Sequence, residues 1–186
     1  MMRRAQSLRA KKVKFDLIMM PTHAGRFRRM LLGSTTARVL NEADCLVLTT
    51  QHAETAPPRP TEHRRWACAL GLSPDSERVR DYAKCVSSAA GAELSVIHAV
   101  HGRSGTAMLD EEEMARQRIA ELQGKTGSDA AVCIVTGPVK DALLNDVREA
   151  SADVLVIGRS SRGVSGRLDD LTYSLVRDSP CPVVSV

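Results

Sequence analysis

One stretch of this chain occurs twice. Asp16-Leu-Ile-Met-Met-Pro21 matches Asp153-Val-Leu-Val-Ile-Gly158, and Ala43-Asp-Cys45-Leu-Val-Leu48 matches Ser179-Pro-Cys181-Pro-Val-Val184. The offset is 137 residues at the aspartates and 136 at the cysteines, so the copies differ in length by one residue. A Gly/Arg-rich loop and a helix-like stretch lie between the matched ends in both. A repeated strand–loop–helix–strand text restricts the fold before any single element is read. The first copy is only the tail of a unit. The complete unit occupies residues 64–186, the tail residues 1–52, and a Pro-rich linker residues 53–63, with Pro57, Pro58 and Pro60 predicting an extended spacer.

The complete unit alternates strand and helix. Arg65 to Leu70 is a short apolar run ended by Gly71. Ser73-Pro74-Asp75 predicts an N-cap, a proline at the first helical position and an early acid. Val79, Ala83, Val86 and Ala90 then recur at helical spacing. Leu94 to Val100 is a second strand, followed by a helix over about 109–123 with Ala115, Ile119 and Leu122 on one face. Ala131 to Val135 is a third strand, and Pro138 opens a helix through Val139, Leu143, Val147 and Ala150. Asp153 to Ile157 is a fourth strand, almost wholly apolar, as a strand buried on both faces must be. Leu168, Leu171 and Leu175 mark a last helix, and Pro182 to Val186 a last strand. This alternation predicts an open parallel α/β sheet, whose ligands sit outside the carboxyl ends of the strands where strand order switches.

Composition removes several function classes. Only Phe15, Phe27, Trp66, Tyr82 and Tyr173 are aromatic, too few for a sheet that stacks single-stranded bases. The net charge of +4 is uneven: residues 1–40 carry +9, residues 41–60 carry −2 and residues 61–186 carry −3. The basic stretch reads as part of a domain separated from its own acids, and no nucleic-acid partner is expected. No apolar run approaches the ~18–20 residues of a membrane span. Cys45, Cys68, Cys85, Cys133 and Cys181 are odd in number and form no Cys-x-x-Cys pair, which argues against a zinc ribbon or disulfide framework and for a reducing cytoplasm. His23 and His98 stand without metal-ligand spacing and read as structural or surface groups. Asp110 to Glu113 reads as a solvated helix start. There is no Walker loop, no dinucleotide fingerprint and no nucleophile elbow around Ser73.

These residues resemble the universal stress protein family. The first strand with Leu72-Ser73-Pro74-Asp75-Ser76-Glu77-Arg78 is similar to that family's opening turn and helix. The Gly158 loop and the ending Ser179-Pro180-Cys181-Pro182-Val183-Val184 are similar to its closing half. Pro21-Thr22-His23 and Leu31-Leu32-Gly33-Ser34 look like the tail of another such domain. The resemblance implies a Rossmann-like five-stranded parallel sheet in order 3-2-1-4-5, plus a C-terminal remnant of a second copy that lacks its first three strands. Some members bind ATP through Gly-x2-Gly-x9-Gly-Ser/Thr after the fourth strand, with an Asp ending the first. Glycines let the backbone approach phosphate, and freed N–H groups bind the anion. Here Gly158 fits the first glycine, Ser161 and Leu171 replace the others, Thr172 follows, and Gly71 occupies the Asp position. Counting back from the intact Gly33-Ser34 puts His23 where a glycine is expected.

The favoured reading is a stress-response regulatory or interaction module without tight nucleotide binding. The alternative is an ATP- or AMP-binding protein that uses Gly71, Ser73, Gly158, Arg159, Ser161, Gly163, Arg167 and Thr172, with at most weak hydrolysis. An enzyme on the same layout is a third, for which a His-x-x-His or Lys-Met-Ser-Lys-type signature is missing. Family members pair their last strands antiparallel, across a dimer or between tandem copies. The resemblance therefore implies that Cys45–Thr49 pairs with Pro182–Val186, with a homodimer as the other option.

Overall fold

The computed structural model describes residues 15–22, 32–50, 63–100, 106–125, 127–159 and 170–186. The N-terminal segment supplies β1 (Leu17–Pro21), α1 (Ser34–Glu42) and β2 (Leu46–Thr50). The rest supplies β3 (Arg65–Ala69), α2 (Ser76–Ala89), β4 (Glu93–Val100), α3 (Thr106–Gly124), β5 (Ala131–Thr136), α4 (Val139–Glu149), β6 (Val154–Ile157), α5 (Asp170–Asp178) and β7 (Val183–Ser185). The linker expected at 53–63 lies outside the described residues except for His63.

The strands form one seven-stranded sheet in the order β1-β2-β7-β6-β3-β4-β5. The expectation of a five-stranded sheet with a remnant beside it is corrected here. Strands β3 to β7 do keep the order 3-2-1-4-5, but β2 extends the same sheet. It pairs antiparallel with β7, Val47 opposite Ser185, Leu48 opposite Val184 and Thr49 opposite Val183. Every other pairing is parallel. The physical reason is the free edge of β7, whose unpaired N–H and C=O groups are satisfied by the one strand able to reach them. The Thr49 hydroxyl adds a bond to the Val183 carbonyl at 3.3 Å.

Successive side chains of the strands point to opposite faces and feed two cores. One joins Val47, Ala67, Ile97, Leu155 and Val183 to α1, α4 and α5 through Leu40, Leu144, Val147 and Val176. The other joins Trp66, Cys68, Val96, Val156 and Val184 to α2 and α3 through Val79, Ala83 and Ile119. All four residues of β6 are buried, as their unbroken apolar text predicts. Burying Leu40 and Val47 contributes about 1.5–3 kcal/mol each, so the N-terminal segment is held by core packing as well as by strand pairing. At the start of β3 the Asp153 carboxylate accepts the backbone N–H groups of Arg64 and Arg65, both at 2.9 Å.

Two local expectations differ from the structure. Helix α2 starts at Ser76, and its N-cap Asp75 makes no side-chain cap bond. Ser73-Pro74-Asp75 is a turn ahead of the helix, closed by the Ser76 N–H on the Ser73 carbonyl at 3.0 Å. Proline preset for the second turn position explains the shift. In α5 the buried residues are Thr172, Leu175 and Val176, while Leu171 stays 37% exposed.

Candidate functional site

Strand order switches between β3 and β6. From β3 the chain moves outward to β4 and β5, and from β6 to β7 on the other side. The carboxyl ends of β3 and β6 therefore diverge into a crevice, the place where such sheets hold ligands. A cavity of about 340 Å³ opens there. Gly71, Ser73, Gly158, Arg159 and Thr172, all predicted from sequence as site residues, border it together. The other three, Ser161, Gly163 and Arg167, lie outside the described residues. A larger hollow of about 560 Å³ lies at the opposite end of the sheet, beside Arg65, Glu93 and Ala131, where strands start. Sheets of this kind hold ligands outside the carboxyl ends of their strands, which is the other end.

The two glycines serve different ends. A Cβ at Gly158 would lie 3.0 Å from Val79 Cγ2, so the end of β6 packs closely on α2 and a side chain there would require Val79 to shift by a few tenths of an ångström. A Cβ at Gly71 would meet nothing within 4 Å. The next residue, Leu72, has φ +55°, a conformation a branched side chain rarely adopts and one that costs of order 1–3 kcal/mol.

Three further residues border or face the crevice; of these only Leu171 was marked by the sequence, as the replacement of a pattern glycine. Ser76, in the first turn of α2, borders the cavity, and its buried hydroxyl has no hydrogen-bond partner among the described residues. His98 Nδ1 lies 2.7 Å from the Leu70 carbonyl oxygen. A carbonyl only accepts, which assigns the ring proton to Nδ1 and leaves Nε2 as an acceptor in the neutral ring. Leu171 borders the cavity where the family pattern has glycine.

Arg159 is placed beside Gly158 but does not offer its charge to the crevice. Its Nη1 donates to the carbonyl oxygens of Leu40 at 3.3 Å and Ala43 at 2.8 Å, and its Nη2 donates to that of Cys45 at 2.8 Å. Burial, and next the nearby Arg78, pull its guanidinium below the ordinary arginine range.

No cluster of His, Cys, Asp or Glu able to hold a metal occurs among the described residues. No helix among them is long and apolar enough to cross a membrane. All five cysteines are free thiols. Burial pushes the Cys68 thiol up to about 12, against a smaller opposing pull from Arg80. Burial and the Asp146 carboxylate, 2.9 Å from Cys133 Sγ, push Cys133 up to about 11. With iodoacetamide at mildly alkaline pH, the exposed Cys85 is therefore alkylated well before Cys68 and Cys133, because only the thiolate attacks. Peptide mass spectrometry over a time course reads this order, and equal rates at the three sites would contradict it.

The described geometry has counterparts among known proteins. A family model described as the universal stress protein family matches residues 2–51 and 63–186. No curated protein matches the chain. Among solved structures, a protein of Pseudomonas aeruginosa PAO1 is 20% identical with a TM-score of 0.77, over 99% of this chain and 67% of that one. A universal stress protein from Archaeoglobus fulgidus DSM 4304 is 26% identical with a TM-score of 0.71, over 98% of this chain and 64% of that one. This chain thus spans about two thirds of the length of either. A universal stress protein in complex with cAMP is 23% identical with a TM-score of 0.55, over 68% of this chain and 98% of that one.

Proposed function

The chain belongs to the universal stress protein family, and on that premise we propose that it is a stress-response regulatory or interaction module without tight nucleotide binding. The observation that carries this reading is the commitment of Arg159. Among the described residues, the guanidinium beside the Gly158 turn is spent on three carbonyl oxygens of the N-terminal segment rather than on a phosphate position. Two further features support it. Gly71 offers no side-chain acceptor at the end of β3, and the Leu171 side chain stands where the family pattern brings phosphate against bare backbone. The reading includes no catalytic step and places the protein in the cytoplasm.

The domain organisation belongs to the same proposal. Residues 1–52 are read as the closing part of a first universal stress domain and residues 64–186 as a complete one. The pairing β1-β2 mirrors the pairing β6-β7, both parallel, and the two pairs meet antiparallel at β2 and β7, the arrangement a local twofold between matching units requires. That joint occupies the surface through which two separate domains of this kind would dimerise. A homodimer would have to form elsewhere.

A second reading, an adenine-nucleotide site in the crevice, is favoured by the cavity of about 340 Å³ at the switch point and by the unpartnered Ser76 hydroxyl beside it. A structural neighbour is described in complex with cAMP. Isothermal titration of the purified chain with ATP, AMP and cAMP separates the two. The first reading expects Kd values no tighter than about 0.1 mM for all three. Micromolar binding of any of them, or nucleotide released in stoichiometric amount from native protein and identified by mass spectrometry, establishes the second.

A further inference from the structure

At the end of helix α1 the Ala43 N–H closes on the Val39 carbonyl, and the carbonyls beyond it need other donors. The helix has no basic residue in its last turn, and its last carbonyl oxygens face away from any continuing helix. A cation near those carbonyls is favourable, because they carry the negative end of the helix dipole. The cation that arrives is Arg159, just past the carboxyl end of β6. Its planar fork spans the carbonyls of Leu40, Ala43 and Cys45 at 3.3, 2.8 and 2.8 Å. A lysine ammonium could not cover three acceptors spread over the helix end and the strand start that follows.

The backbone of the same residue is tied to the crevice. The Arg159 N–H donates to the Val186 carbonyl at 3.0 Å, and the Val186 N–H donates to the Ile157 carbonyl at 3.0 Å. Gly158, between Ile157 and Arg159, borders the cavity. One residue thus joins three structures: the end of α1, the end of β7, and the wall of the crevice. Among the described residues the N-terminal segment also meets the body of the domain through the β2–β7 ladder and through neutral groups at Leu32 N–H to Tyr173 Oη (3.1 Å) and Thr49 Oγ1 to the Val183 carbonyl (3.3 Å). Arg159 adds a charge-assisted contact, and charge-assisted bonds are roughly twice as strong as neutral ones.

We propose that Arg159 is a positioning residue through which the seating of residues 32–50 sets the wall of the crevice. Coupling between two places is reciprocal. A partner that lifts α1 and β2 from the sheet loosens the Gly158 wall, and an occupant that stiffens the wall strengthens the seating of the segment. The consequence for ligands rests on reading the crevice as the ligand-bearing site. The coupling itself does not, and its test needs no ligand.

The test is a double-mutant cycle on the full chain, read by amide hydrogen exchange in the wild type, Arg159→Ala, Leu40→Ala and the double variant. Leu40 buries its side chain in the core under α1 and does not border the cavity, so Leu40→Ala unseats the segment through lost packing while keeping the backbone carbonyl that Arg159 contacts. Arg159→Ala is expected to speed exchange of the Ala43, residue-159 and Val186 amides about tenfold, the loss of a charge-assisted contact. Leu40→Ala is expected to speed the residue-159 and Val186 amides when Arg159 is present and to add little once it is alanine. Arg159→Lys, which keeps the charge and the fold but loses the fork, should fall between. Equal effects of Leu40→Ala in both backgrounds, or unchanged exchange at residues 159 and 186 in Arg159→Lys and Arg159→Ala alike, overturn the proposal. Silence in the nucleotide titrations leaves it standing.

Discussion

Arg80→Ala lowers the unfolding free energy of this protein by about 2–5 kcal/mol in a urea titration, and Tm falls by roughly 4–20 °C. Arg80 is only 2% exposed, which makes it the largest fully buried side chain among the described residues. Its Nε and Nη2 donate to Asp81 Oδ1 at 2.9 and 2.5 Å, and its Nη1 donates to the Leu122 carbonyl. That last bond joins α2 to the final turn of α3, which has no basic residue of its own. Alanine leaves the Leu122 carbonyl without its donor and opens a void where the buried Arg80 side chain lay between α2 and α3, so an unmet polar group and a cavity add. Arg80→Met keeps most of the volume and should recover part of the loss. A decrease under about 1 kcal/mol for Arg80→Ala would mean that α3 is held by its apolar face alone, through Ala115, Ile119 and Leu122.

Arg80 also shows where sequence reading stops. Val79 and Ala83 mark the inner face of α2 by spacing, and both are buried as that spacing predicts. Arg80 is adjacent to that stripe, and a charged side chain there reads as solvated. Its burial depends on a carbonyl 42 residues away, which no local pattern reveals. Arg159 is the same case at longer range. Following Gly158, it reads as part of an anion-binding loop, yet carbonyls 114 to 119 residues away claim it. What depends on period and self-similarity was legible. The unbroken apolar text of β6, the stripe of Ala115, Ile119 and Leu122, and the repeat that aligns Cys45 with Cys181 all correspond to observed elements. The repeat also led to the antiparallel joint of β2 and β7, through the resemblance it supported. It did not show that this joint makes one seven-stranded sheet, because strand number in a sheet is settled by which edges remain free. The crevice was legible only as a place. Gly71, Ser73, Gly158, Leu171 and Thr172, all marked by the sequence, meet there, but Ser76 enters through the turn at Ser73 to Asp75, which is decided by packing.

The make-up of the crevice predicts how nucleotide affinity can be gained. Gly71→Asp combined with Leu171→Gly is expected to tighten AMP binding by about 10–150-fold over the wild type, the range of one hydrogen bond to a charged group. The aspartate enters without a clash, since a Cβ at position 71 meets nothing within 4 Å. It supplies at the end of β3 the acceptor that the family pattern places there. Removing the Leu171 side chain, 37% exposed and bordering the cavity, clears the approach of a phosphate to the first turn of α5 at a helix-propensity cost of about 1 kcal/mol. The two substitutions should act on different parts of a ligand. Leu171→Gly alone helps pyrophosphate as well as AMP. Gly71→Asp alone helps AMP and not pyrophosphate, because a carboxylate accepts from a base or ribose but repels an anion, and Asp75 already borders the same cavity. Calorimetric titration of the single and double variants with both ligands reads this pattern. If the double variant gains nothing for AMP, Gly71 and Leu171 are not what keeps nucleotide out. The obstacle then lies in Arg159, whose guanidinium would have to leave α1 before any phosphate could use it.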